Sequence, residues 1–192
     1  MPELILASSS PYRRELLARF GIDFEAVAPE LSEAQFPQEF PADRALRLAL
    51  EKARSVARRR PRAVVIGSDQ VAAAGEQLLG KPGDLAVARA QLAALSGRTA
   101  RFYTACAVLA AEARVHLAHV DTTTVVFRHL SAEEIDRYLM REQPYDCAAS
   151  FKAEALGISL IECIESQDPT ALIGLPLIWL AGALREAGFQ LP

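Results

Sequence analysis

Hydrophobic and polar positions along this chain switch between two periods, and the switches mark its elements. ELILA (3–7) is a short apolar run ending in small polar residues and predicts a strand. From Pro11 to Phe20 the spacing becomes helical, with Leu16, Leu17 and Phe20 on one face and Gly21 as the stop. FEAVA (24–28) predicts a second strand, and the proline-punctuated, acidic segment 29–41 an exposed loop. Residues 42–60 predict a helix with Ala45, Leu46, Ala49, Leu50 and Ala53 as its inner stripe. AVVIG (63–67) is a continuous β-branched run, the pattern of a buried strand, and it leads into Ser68, Asp69 and Gln70. VAAAGEQLLGKP predicts a hairpin, residues 84–95 a helix closed by Gly97, and 99–110 and 113–127 two long strands. Ser131 and Glu134 form a capping box for a helix over 132–141, and the last helix runs from Pro176 to Gly188. Mixed strands and helices without repeats or low-complexity linkers predict one α/β domain over 1–192, with two lobes around a central cleft as one form it can take.

Composition narrows the class. The 192 residues are 51% hydrophobic and 23% charged, enough to bury a real core. A net charge of −3 argues against a general nucleic-acid binder, which needs a basic face, but leaves room for a small anion held by a few local cations. The acidic N-terminus does not resemble a secretory signal, and the longest apolar run, 171–184, is broken by Gly174, Pro176 and Gly182. Cys106, Cys147 and Cys163 are odd in number and lack a CxxC pair, so they predict buried, reduced cysteines. The expectation is a cytoplasmic protein with no membrane segment.

Candidate chemistry starts at SSSPYRRELL. Ser10 and Pro11 read as N-cap and first helical residue, and the third helical position, where a capping box places Glu or Gln, is Arg13. Arg13 and Arg14 stand where the helix is already positive, so either a polyanion binds there or both point into water. Asp69, after the apolar strand, is a candidate for metal binding or general base work, with an Asp capping a turn as the alternative. Lys81, between Gly80 and Pro82, could reach a phosphate or be an ordinary turn lysine. Lys52 lies near the inner stripe of its helix and either snorkels outward or faces a cleft. Glu30 and Glu33 are loop acids that could serve a magnesium site. Lys152 and Glu154 suit a ligand rim or a surface ion pair. His116 and His119 have a spacing that puts them on opposite strand faces, so they form no joint metal site, and His129 is set aside with them. Cations for phosphates, with acids for a metal and an attacking water, are what hydrolysis of a nucleoside triphosphate uses.

In this order the motifs resemble the Maf family of nucleoside triphosphate pyrophosphatases over nearly the full length. The matching pieces are LILASSSPYRRELL, LALEKA (48–53), IGSDQV (66–71), GKP (80–82), LSG (95–97) and GLPL (174–177). The resemblance implies a two-lobed, mixed-sheet α/β fold with a central cleft, related to that of inosine triphosphate pyrophosphatases, and usually a homodimer. It also implies metal-dependent cleavage between the α- and β-phosphates, using Mg²⁺, Mn²⁺ or Co²⁺. Asp69 would then activate water, Ser8, Arg13, Lys52 and Lys81 would bind phosphates, and Glu33 would help Asp69 hold the metal. Asp69–Gln70 and SFKAEA (150–155) are similar to the subgroup that hydrolyses 7-methyl-GTP, with Tyr12, Gln70 and Glu154 as specificity positions. A cationic 7-methylpurine suits an aromatic ring and a carboxylate. The alternatives within the resemblance are a dTTP/UTP pyrophosphatase and a non-catalytic nucleotide-binding regulator of septum formation.

Overall fold

The computed structural model describes residues 2–34, 36–110 and 114–192. Among these residues there are seven strands and five α-helices, and the mixed α/β class expected from the sequence is the one observed. The order is β1 (Leu4–Ala7), α1 (Pro11–Ala18), β2 (Glu25–Ala26), α2 (Pro41–Ala57), β3 (Val64–Ala74) and β4 (Gln77–Leu79). Then come α3 (Leu85–Leu95), β5 (Thr99–Ala110), β6 (Val115–Phe127), α4 (Ala132–Glu142), β7 (Ile161–Glu165) and α5 (Leu177–Glu186). The sheet order is β2-β1-β3-β5-β6-β7, with β4 paired to β3. β1 pairs in parallel with both β2 and β3, while β3–β4 and β6–β7 are antiparallel.

The chain divides into two compact units. Unit 1 holds the residues up to Asp69, Thr104–Asp121 and Asp168–Pro192; unit 2 holds Gln70–Tyr103 and Thr122–Gln167. The core of unit 1 joins Leu4 and Leu6 of β1, Leu16 and Leu17 of α1, Val64 and Ile66 of β3, Cys106 and Val108 of β5, and Leu180 and Leu184 of α5. In unit 2, Phe151 packs against Phe102 and Phe127, with ring centroids 6.1 and 5.3 Å apart.

Several expectations are corrected. The second strand is only Glu25–Ala26, because a two-residue register on β1 is all that edge pairing supplies. The buried stripe of α2 is Ala45, Leu48, Ala49, Lys52, Ala53 and Val56; Leu46 and Leu50 are only half-buried. β3 does not stop at Gly67 but continues to Ala74, because its later residues pair with β4 across the Gly75–Glu76 turn. β7 has no counterpart in the hydropathy reading, since four of its five residues are exposed and it pairs only with β6. Cys106 is buried, but Cys147 is half-buried and Cys163 exposed, and none of the three is in a disulfide. The expected strand start at residue 113 lies outside the described residues. Among the described residues no helix is long and apolar enough to cross a membrane.

The candidate active site

In unit 1 the local sequence gathers candidate residues around three consecutive residues of β3. Alternation in a strand puts Gly67 and Asp69 on one face and Ser68 on the other. At Gly67 α2 comes so close that a Cβ would overlap the Ala49 carbonyl oxygen and lie 2.6 Å from the Ala53 nitrogen. That close approach carries Lys52, on the same turn of α2, to the next residue on this face. Lys52 Nζ lies 2.5 Å from Asp69 Oδ1 and 2.7 Å from Glu33 Oε1. Lys52 and Asp69 are 8% and 7% exposed, so this ammonium does not snorkel. A buried ammonium needs compensation, and two carboxylates supply it.

Asp69 is therefore inside a strand rather than at its end, but the carboxyl-edge argument survives in another form. Ala7, the last residue of β1, is the register partner of Gly67, so the parallel β1–β3 pairing ends there. Asp69 stands just past that edge, where open parallel sheets place ligands. Its Oδ1 is held by Lys52, while Oδ2 makes no hydrogen bond or ion pair among the described residues.

On the opposite face Ser68 Oγ donates to the Gly174 carbonyl at 2.9 Å, buried. Arg13 Nε donates to the same carbonyl at 2.9 Å. One oxygen thus fixes the strand residue next to Asp69 and the plane of the Arg13 guanidinium. Its terminal nitrogens make no hydrogen bond among the described residues. Burial lowers the Arg13 pKa, opposed by the charges of Asp69, Cys106 and Glu33. The Cys106 thiol is pushed up to about 12 by burial, with Arg13 acting the other way, so it stays protonated. Arg14, by contrast, is exposed. The two readings of the helix-start arginines each apply to one residue. Ser10 caps α1 by accepting from the Arg13 N–H, and Ser8 Oγ accepts from the Ser10 N–H at 3.1 Å.

Asp168, Thr170 and Gly174 form the part of this arrangement that sequence reasoning missed. The first residue of α5's approach, Pro176, cannot cap it with a side chain. Instead Asp168 Oδ2 accepts from the Ile178 N–H at 2.6 Å, and Thr170 Oγ1 accepts from the Leu177 N–H at 2.9 Å. Asp168 Oδ1 also accepts from the Thr170 N–H and hydroxyl. Gly174, at φ 126°, completes the turn in a conformation that favours glycine. The sequence signals were the GLPL motif at 174–177 and an Asp–Pro–Thr shortly before an uncapped Pro-started helix. Asp168→Ala is expected to destabilise the protein by about 1–2 kcal/mol, since it removes the cap of α5 and leaves two partly buried N–H groups without this acceptor. Urea unfolding at constant slope measures this, and an unchanged midpoint would contradict the capping role.

The loop before α2 is held by Arg47. Its Nε and Nη2 meet the two Glu39 oxygens at 2.6 and 2.7 Å, Nη2 also donates to the Ala34 carbonyl, and the Phe36 ring lies 4.3 Å from Cζ. This settles the loop acids differently: Glu33 reaches Lys52, whereas Glu30 pairs with Arg59 at 2.5 Å. The hydrogen bond from Arg47 holds Glu39 below the usual carboxylate range. A depressed folded-state pKa contributes stability above the unfolded value, lost as pH falls through the folded value. The melting-temperature gap between the protein and Glu39→Gln is therefore expected to be present at neutral pH and to close below about pH 4. A gap that widens on acidification would reverse the sign of this argument.

Unit 2 carries the remaining candidates. Lys81 is exposed, at the end of the β4 hairpin. Gln70 is half-buried in β3, and Glu154 is exposed on the segment after Phe151. Lys152 pairs with Glu142 of α4 at 3.2 Å, and its N–H donates to the Tyr138 hydroxyl. Burial raises the Tyr138 pKa above the ordinary phenol value; the Lys152 N–H opposes this, and Glu142, Cys147 and Glu154 add to it. Tyr12 of α1, in unit 1, is half-buried. His119 stacks on Trp179 at 5.4 Å, which gives that histidine a packing role.

The fold and these residues make this an α/β protein with a carboxylate just past a parallel strand edge, paired to a buried lysine and near an arginine fork. The chain belongs to the Maf family: the Maf-like protein family matches residues 3–187. It is similar to a protein of Xanthomonas oryzae pv. oryzae (strain MAFF 311018) named 7-methyl-GTP pyrophosphatase, 56% identical over 192 residues and the whole of both chains. Proteins of the same name in Nitrosococcus oceani and Cupriavidus metallidurans are 52% and 51% identical, covering 98% of this chain and 94% of each relative.

Proposed function

We propose that this protein hydrolyses 7-methyl-GTP to 7-methyl-GMP and pyrophosphate. The observation that carries this reading is the Glu33–Lys52–Asp69 ion-pair chain, set beside the Arg13 fork. Asp69 Oδ2 takes a proton from the attacking water while Lys52 orients the carboxylate through Oδ1. The water oxygen forms the new bond to phosphorus, the α–β anhydride bond breaks, and its bridging oxygen leaves on the other product. Arg13 and Lys81 bind phosphate oxygens, with Ser8 as a hydroxyl partner, and Lys52 lies within the same charged group. Tyr12, Gln70 and Glu154 read the base, a carboxylate matching both the cationic 7-methylpurine and the guanine N–H donors.

A divalent metal belongs to the same proposal. Glu33 Oε1 and Asp69 Oδ1 both contact one ammonium, so they are separated by at most 5.2 Å, the sum of those two distances. Two hard carboxylate oxygens already gathered on a cation fit Mg²⁺, which is commonly held by one or two carboxylates plus substrate phosphates. When bound, the ion would neutralise phosphate charge at these residues.

The test is pyrophosphate release from 7-methyl-GTP, GTP, UTP and dTTP, with Mg²⁺ or Mn²⁺ and again with chelator. Preference for 7-methyl-GTP, eroded by Glu154→Gln, is the expected result. Preference for UTP or dTTP would overturn the base assignment, and full activity in chelator would remove the metal. No turnover of any nucleotide would favour a binding role.

A further inference from the structure

The backbone outliers of unit 2 have a cause that the roles above do not use. Ala149 and Ser150 are consecutive non-glycine residues at φ 59° and 56°, and both are fully buried. L side chains are disfavoured in this region, and two in succession persist only where surrounding contacts hold them. Here the contacts converge on the turn before Lys81. The Gly80 carbonyl accepts from the Ala149 N–H at 3.3 Å and from Gln91 Nε2 of α3 at 3.1 Å. Gln91 Oε1 accepts from the Ser150 hydroxyl at 2.6 Å. A second tie lies close by, from the Gly83 N–H to the Tyr145 carbonyl at 3.0 Å.

One side-chain amide thus faces two ways. Its nitrogen grips the residue preceding Lys81, and its oxygen grips the strained turn from which Phe151, Lys152 and Glu154 follow. Phe151 is anchored between Phe102 and Phe127, and Lys152 on Tyr138 and Glu142, so the segment leading to Glu154 is firmly held and Gln91 ties the Lys81 turn to its start. Methionine at position 91 could fill the same volume but make neither bond.

We propose that Gln91 is a positioning residue, whose amide locks the Lys81 turn to the 149–150 turn and so fixes the phosphate-binding lysine relative to the base-reading glutamate. This rests on the function proposed above and adds to it a residue that touches no substrate.

The experiment compares the full-length protein with Gln91→Met and Gln91→Glu. The first removes both polar groups; the second keeps the acceptor for Ser150 and loses the donor to Gly80. Both are expected to lower kcat/KM for 7-methyl-GTP about tenfold and to shrink its preference over GTP, while unfolding cooperatively. In a Lys81→Ala background, assayed at raised enzyme concentration, Gln91→Met is expected to cost less than about twofold, because the group it positions is gone. A purely structural role would lower the melting temperature and cost the same factor in both backgrounds, which would overturn the proposal. So would wild-type kcat/KM and selectivity in either Gln91 variant while the unsubstituted protein turns over. If the unsubstituted protein hydrolyses nothing, the functional reading falls first and this role falls with it.

Discussion

Asp69→Asn is expected to lower turnover of 7-methyl-GTP by about 10³-fold while leaving nucleotide binding nearly intact. General-base catalysis by a positioned side chain is worth roughly 10²- to 10⁴-fold, and Asn cannot take a proton from water. The shape of the residue is kept, and so is an oxygen for Lys52. Glu33 still neutralises the ammonium, so the loss of stability should stay within about 2 kcal/mol, the range for removing one charged hydrogen-bond partner. Steady-state kinetics and equilibrium titration with 7-methyl-GTP check the two halves separately. Turnover near the original rate would remove Asp69 from the role of base, and a loss of binding equal to the loss of rate would make it a ligand-holding residue instead.

The second large effect belongs to a residue with no functional group. Gly67→Ala places a methyl against the Ala49 carbonyl oxygen, 2.6 Å from the Ala53 nitrogen and 2.8 Å from the Ala53 Cβ. These are mostly atoms of the helix backbone and cannot step aside, so α2 as a whole must move. Overpacking of this kind costs about 3 kcal/mol or more, which at this chain length lowers the melting temperature by roughly 6–12 °C. Ala49, Lys52 and Ala53 share one turn, so any retreat of α2 draws Nζ away from Asp69. Activity should therefore fall further than the unfolded fraction explains. Gly182→Ala in α5 is the control: nothing lies within 4 Å of its added Cβ, and relief of helix entropy should stabilise by about 0.5–1 kcal/mol. A Gly67→Ala protein as stable and active as the original would mean that α2 does not depend on this contact.

Much of the architecture was legible because it is written in local terms. The Ser10 cap with Pro11, the Ser131–Glu134 capping box, the Asp84 start of α3 and the turn of the β3–β4 hairpin depend on residues within a few positions of one another. The Maf motifs were likewise short enough to be recognised in order. Lys52 and Glu33 could be named as candidates, but whether that lysine snorkels, or which loop acid it meets, could not be read from spacing. Those answers depend on how closely α2 approaches β3 and on where Arg47 pins the loop.

What the sequence by itself determined is most of the elements, the α/β class and the residue types available for phosphate chemistry. The tertiary structure alone decided that Asp69 sits inside a strand yet past the edge of its parallel neighbour, that Arg13 is held and Arg14 is not, and that one carbonyl at Gly174 orders both Arg13 and Ser68. The physical reason is the range of the forces involved. Caps and turns are satisfied within a few residues, whereas a buried ammonium or a desolvated guanidinium must find its partners anywhere in the chain. Ser68 and Gly174 are separated by 106 positions, Arg13 and Gly174 by 161, and only the packed fold brings them within hydrogen-bond distance.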